Sequence, residues 1–233
     1  MRSRRLQERR VEMNGIPLIK LASEDIRRYL DKNTELLFNE RDLQMHLAQH
    51  LINSGHYDDV DVEYYVPYEE LDNYIWKNEL KLDILLRKKQ EFLPVELKYK
   101  TKKHSKQLLR FGEQLNDAVD VLKNQGAQDL GMYDFWKDVR RMELVRNRFN
   151  AVKHGLAVFV TNDKQYLNKC KDTSNNYRLS MEGGLHDRVK HWQQPESTCA
   201  KTHPDFDLDN EYTIHWSTSS YEGVEFYYCI VAI

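Results

Sequence analysis

The stretch GLAVFVTND, residues 155–163, constrains this chain more than any other. A short apolar run with no alternation, closed by turn residues, predicts a strand buried on both faces. The other segments must supply its neighbours and its cover.

They read as mixed elements. Ser23 predicts the N-cap of a short helix, ASEDIRRYL. A longer helix is expected from about Glu40 to Asn53, capped by Asn39, with Asp42 in its first turn. Its apolar face is Leu43, Leu47 and Leu51, and Gly55 stops it. DVDVEYYVPY alternates with period two and predicts a strand. KLDILLRKKQEFLPVELKYK, residues 81–100, reads as two strands joined by a polar turn. SKQLLRFGEQLNDAVDVLKNQG is expected to be a second amphipathic helix with the stripe Leu108, Phe111, Leu115, Val119 and Leu122. A third helix, about Tyr133 to Asn150, carries Trp136, Val139, Met142 and Phe149 on its inner side. Residues 163–209 are polar and irregular. YTIHW, a turn through STSSYEG, and VEFYYCIVAI predict a terminal hairpin. The order implies an α/β or α+β sandwich around one central mixed sheet flanked by helices.

No linker divides the 233 residues, which favours one domain. A net charge of −2 means that nucleic-acid binding would need local patches. Three widely spaced cysteines argue against a disulfide framework and for the reducing cytoplasm. No apolar run is long enough for a membrane span. The basic start, MRSRRLQERR, lacks the apolar segment of a secretory signal; it reads as a solvated end or as an arm touching phosphate.

The 81–100 hairpin holds the chemistry. With the turn centred on Lys89 and Gln90, Asp83 lies opposite Glu96, and Lys98 is the same-face neighbour of Glu96. Parity places Leu82, Ile84 and Leu86 on one face. Two such carboxylates repel when both are ionised. A divalent cation relieves the repulsion, and Mg²⁺ takes one or two carboxylates while keeping several waters. The ion would polarise a phosphoryl oxygen, and Lys98 would orient water or stabilise phosphate charge. The competing reading is a solvated sheet edge with a salt bridge, which Pro94 slightly favours.

Asp83, then twelve residues, then Glu96-Leu97-Lys98 resembles the D…(D/E)xK signature of the PD-(D/E)xK nuclease superfamily, the restriction-endonuclease-like fold. The element order across residues 37–162 resembles it too, and residues 163–233 would be an irregular segment plus a β-hairpin addition. The resemblance implies a Mg²⁺- or Mn²⁺-dependent nuclease acting on DNA. Asp83 and Glu96 would be metal ligands together with the backbone carbonyl of Leu97, and Lys98 the catalytic lysine. Glu40 would be a further acidic ligand from the first long helix, or simply a first-turn residue suited to the helix dipole. Gln114 fits a glutamine that some members carry after the motif, but Ala118 stands where their tyrosine would follow. Glu63 is a weaker candidate acid.

Lys100, Lys102, Lys103, His104 and Lys106 form a basic run beside the motif, where phosphate contacts would be needed. Arg140, Arg141, Arg146 and Arg148 form a second cluster, interleaved with Asp138 and Glu143 in pairs of helical spacing. His46 and His50 flank a leucine stripe without an HExxH pattern. His186, His191, Cys199 and His203 lack zinc-site spacing. Ser180 and Ser217 lie in no nucleophile-elbow context. The third helix and terminal hairpin could shape a substrate groove or a homodimer interface. The rival to the nuclease is a catalytically inactive nucleic-acid-binding or protein-interaction module on the same fold.

Overall fold

A computed structural model describes residues 16–233; the basic stretch MRSRRLQERR lies outside them. Six strands make one mixed sheet: β1 (Asp59–Val66), β2 (Leu80–Lys88), β3 (Glu91–Lys100), β4 (Leu156–Thr161), β5 (Ser217–Tyr221) and β6 (Val224–Ala232). Their order across the sheet is β1-β2-β3-β4-β6-β5. All neighbours are antiparallel except β3 and β4, which run parallel. Parallel neighbours require a crossover, and helix α3 (Gln128–Arg148) is carried in it.

The run at 155–163 does form a strand: every residue of β4 is buried. Leu156, Val158 and Val160 face a core shared with α1 (Leu18–Lys32) and α2 (Glu40–Ser54). Ala157 and Phe159 face a second core built on α3. Period-two alternation of β4 thus feeds one layer on each side of the sheet.

α2 forms as its caps dictate: Asn39 accepts from the N–H of Asp42, and Gly55 closes the helix at φ 66°. α1 starts earlier than expected. Its cap position is Pro17, and Ser23 lies inside the helix, because Leu18, Leu21 and Ala22 extend the buried face one turn before the serine.

The helix expected over 105–126 does not form. His104–Lys106 pairs with Val119–Leu122, and Leu109–Arg110 pairs with Glu113–Gln114. The turn between them is Phe111 (φ 54°) and Gly112 (φ 85°), a two-residue turn with left-handed backbone at both positions. α1 and α2 already cover one sheet face and α3 the other, so the stripe has nothing to pack on. Phe111 is 104% exposed, and only Leu122 of the five stripe residues is fully buried.

Residues 163–209 are less irregular than expected. They fold over α3 as short helical turns, among them the one-turn helix α4 (Thr198–Thr202), and two-stranded ribbons. Leu179, Met181, Trp192, Phe206 and Leu208 enter the α3 core. The expected strand YTIHW leaves the terminal hairpin and pairs at Tyr212–Ile214 with Gly184–His186. The expected turn STSSYEG is instead strand β5, and the turn is only Glu222-Gly223, at φ 48° and 81°. Among the described residues no helix is long and apolar enough to cross a membrane.

Candidate functional site

The β2–β3 turn falls at Lys89 and Gln90, with Lys88 paired to Glu91 and Ile84 to Val95. The ladder ends at that pair, and just beyond it Asp83 and Glu96 meet through their side chains, which share a hydrogen bond. β3 is a central strand, between β2 and β4. Glu96 is only 5% exposed. The solvated-edge reading of the hairpin is therefore overturned: these carboxylates sit at the heart of the sheet.

β2 changes faces at this point. Leu80 and Leu82 belong to the α3 core, whereas Ile84 and Leu86 belong to the core of α1 and α2. The expected common face of Leu82, Ile84 and Leu86 is thus broken at Asp83. Across the strand, β1 carries a matching irregularity. Glu63, between the pairs Val62–Ile84 and Tyr64–Leu82, sits at φ 51°.

Each acid is held differently. Asp83 Oδ2 accepts the main-chain N–H of Leu97 at 2.6 Å. Burial raises its pKa to about 6, against the opposing pull of the Lys98 ammonium and the Leu97 N–H. Glu96 is pushed well above the usual carboxylate range by burial first, then by the Asp138 and Asp83 carboxylates. Its Oε1 is buried with no hydrogen-bond partner among the described residues. Glu40, at the start of α2, reaches β3, where its Oε2 accepts the N–H of Tyr99 at 2.8 Å.

Lys98 Nζ lies 2.6 Å from Asp138 Oδ2 and donates to the Leu97 carbonyl at 3.1 Å. The Asp138 contact is a charge pairing without hydrogen-bond alignment, since Oδ2 has no partner of that geometry among the described residues. Burial alone would lower the Lys98 pKa; Asp138, Glu40, Glu96 and Asp83 together raise it well above the ordinary value.

A cleft of about 340 Å³ opens beside Asp83, lined by Glu40, Gln44, Glu63, Asp83, Lys100 and Gln125 among others. Two residues here were not anticipated. Gln44 bridges the cleft wall, donating to the Asp83 carbonyl and to Glu63 Oε1. The sequence places Asp138 in an alternating charge pattern on the third helix. Its signal was available, because it stands between Phe135 and Met142 on the apolar face of α3.

The basic run divides. Lys100 lines the cleft. Lys102 pairs with Asp163 at 3.0 Å, Lys103 with Asp120 at 2.9 Å, and Lys106 with Glu222. Gln114 lies in the 109–114 ribbon rather than on a helix; neither it, nor the buried Glu96, nor Lys98 lines the cleft, which Asp83 and Lys100 reach. In the second basic cluster, Arg140 pairs with Glu143 and Asp209, Arg141 with Asp138, and Arg148 with Glu70.

Among the described residues no three His, Cys, Asp or Glu side chains already converge as a metal cage. The donor set is the smaller one of Asp83 and Glu96. Two carboxylates suit Mg²⁺, which keeps most of its water shell. Glu96 and Asp83 share a side-chain hydrogen bond, but Glu96 Oε1 has no partner among the described residues, and such an ion would satisfy that buried oxygen. Comparison of the chain with protein-family models, with curated proteins and with solved structures finds no match.

Proposed function

We propose that the chain is a divalent-metal-dependent phosphodiester hydrolase of the restriction-endonuclease-like kind, a nuclease with DNA as its first candidate substrate. One observation carries the reading: Asp83 and Glu96 meet side chain to side chain in a buried hairpin, with Oε1 of Glu96 left without a partner among the described residues and Lys98 two residues on.

Asp83, Glu96 and the Leu97 carbonyl would hold Mg²⁺ or Mn²⁺, with Glu40 contributing from α2. The bound ion would supply Lewis-acid polarisation of a phosphoryl oxygen and a lower pKa for water. Lys98 keeps its proton and presents a cation where negative charge grows on the phosphate. Lys100, on the cleft wall, would meet a neighbouring phosphate. Glu96 must lose the proton that burial favours before it can serve as a ligand, so loading competes with protonation.

A second reading has its own support. Lys102, Lys103 and Lys106 are each paired with an acid, and Lys98 is paired with Asp138. A surface so neutralised suits a non-catalytic binding or interaction module.

The test is incubation with supercoiled, linear and single-stranded DNA, and with RNA, in Mg²⁺, Mn²⁺ or EDTA, beside Glu96→Ala. Metal-dependent cleavage by the wild type and none by the variant is expected. Cleavage by Glu96→Ala at the wild-type rate would falsify the assignment, and no cleavage of any substrate would favour the binding module.

A further inference from the structure

The buried face of α3 carries a carboxylate among apolar neighbours. Phe135, Val139 and Met142 around Asp138 are fully buried, and Asp138 is itself sealed from solvent. Such a charge costs several kcal/mol unless it is paired. Asp138 is paired twice. Its Oδ2 lies 2.6 Å from Lys98 Nζ on β3, and its Oδ1 accepts from Arg141 at 3.4 Å. Arg141 is anchored in turn, donating to Asn78 at 2.9 Å and lying over the rings of Tyr74 and Trp76.

Lys98 has two direct polar contacts among the described residues, Asp138 and the carbonyl of Leu97. A lysine ammonium rides on a flexible four-carbon stem. The Leu97 carbonyl belongs to the same strand and restrains the stem from one end only. The second point, fixed on another element, is what defines where the charge sits.

We propose that Asp138 is a positioning residue for Lys98: from α3 it fixes the ammonium at the place where the reacting phosphate must meet it. The inference rests on the hydrolase reading for its catalytic meaning, but the positioning itself is a property of the free protein. A purely structural Asp138 would neutralise a buried lysine and affect stability alone. A positioning Asp138 sets the turnover rate, because a reacting group held about 1 Å out of place loses on the order of 10²-fold in rate.

The experiment uses the full chain as wild type, Glu96→Ala, Asp138→Asn and Asp138→Glu. Asn is isosteric and still accepts from Arg141, so Asp138→Asn is expected to fold. Given metal-dependent cleavage that Glu96→Ala lacks, Asp138→Asn should lower kcat on the order of 10²-fold with KM for DNA and the metal requirement unchanged. Asp138→Glu should recover part of the loss. A kcat for folded Asp138→Asn equal to that of the wild type overturns the proposal.

The same proteins, labelled with ¹⁵N-lysine, report the Lys98 ammonium directly, assigned by its loss in Lys98→Met. A distinct resonance in the wild type should collapse to the exchange-averaged lysine signal in Asp138→Asn. If the wild type cleaves nothing, the hydrolase reading fails, and this signal alone decides the positioning: an unchanged resonance in Asp138→Asn overturns it. Should Asp138→Asn not fold, Asp138→Ser carries both measurements. Wild-type kcat with an unshifted resonance in that variant would overturn the proposal equally.

Discussion

Gln44 on α2 and Asp83 on β2 are joined through the main chain. Gln44 Nε2 donates to the Asp83 carbonyl at 2.7 Å and to Glu63 Oε1 at 3.1 Å. One amide therefore ties a helix to two strands at the point where β2 changes faces. Gln44→Leu keeps much of the volume and removes both bonds, leaving the Asp83 carbonyl without that donor. A loss of about 1–3 kcal/mol is expected, read as a lower midpoint in urea denaturation at unchanged slope. An unchanged midpoint would show that the face switch holds itself.

The carboxylate pair makes a pH prediction whose sign runs opposite to the usual acid denaturation. Asp83 is raised to about 6 by burial against the pull of Lys98, and Glu96 is raised well above the usual carboxylate range by burial and the neighbouring acids. Groups raised in the folded state favour folding below their unfolded pKa, and that contribution is lost as pH rises through the folded value. In EDTA the wild type should therefore lose stability relative to Glu96→Gln as pH rises from about 4.5, by up to about 1.4 kcal/mol per pH unit. The comparison cancels titrating groups remote from Glu96, while Asp83 and Lys98, which interact with it, contribute to the difference. Melting curves of the two proteins from roughly pH 4 to pH 8 check it; parallel curves would mean that Glu96 ionises normally.

How legible the site was depended on where its residues sit. The hairpin pairing followed from one polar turn at Lys89 and Gln90, so the Asp83–Glu96 juxtaposition could be read from residues 81–100, although the period-two alternation behind it breaks at Asp83. α2 announced itself through Asn39 and Gly55. Asp138 could not be assigned to Lys98 in the same way, because 40 positions separate them in the chain and only the β3–α3–β4 crossover brings them together. The 105–126 segment misled for a different reason. Its leucine and valine spacing suits a helix, yet the sheet faces were already taken by α1, α2 and α3. Gly112 was the local clue, since a mid-helix glycine is unfavourable and a turn glycine is not.

That hairpin supplies a control on its own geometry. Phe111 is fully exposed, so Phe111→Ser should change stability by less than about 0.5 kcal/mol. Gly112 stands at φ 85° with open space around it, so Gly112→Ala tests backbone conformation without a clash. A cost of about 1 kcal/mol is expected. If the segment were helical, Gly112→Ala would stabilise instead, and guanidinium denaturation of the two variants separates the cases.

The docking of α3 fixes Asp138, and Gly131 is where that docking is tightest. A Cβ at Gly131 would run into the hydroxyl of Tyr166. Tyr166 is buried and packs on Phe159 with ring centroids 4.8 Å apart, so the ring has little room to retreat. Gly131→Ala should cost about 1–3 kcal/mol by overpacking. Tyr166→Phe removes a hydroxyl that is buried without a hydrogen-bond partner among the described residues, so alone it should be neutral or slightly stabilising. Combined, the two changes should cost less than their sum, because the colliding atom is gone. A strictly additive double-mutant cycle would show that α3 shifts to absorb the extra methyl. Asp138 lies two turns further along the same helix, so such a shift would carry it away from Lys98, and the Lys98 ammonium resonance should move with it.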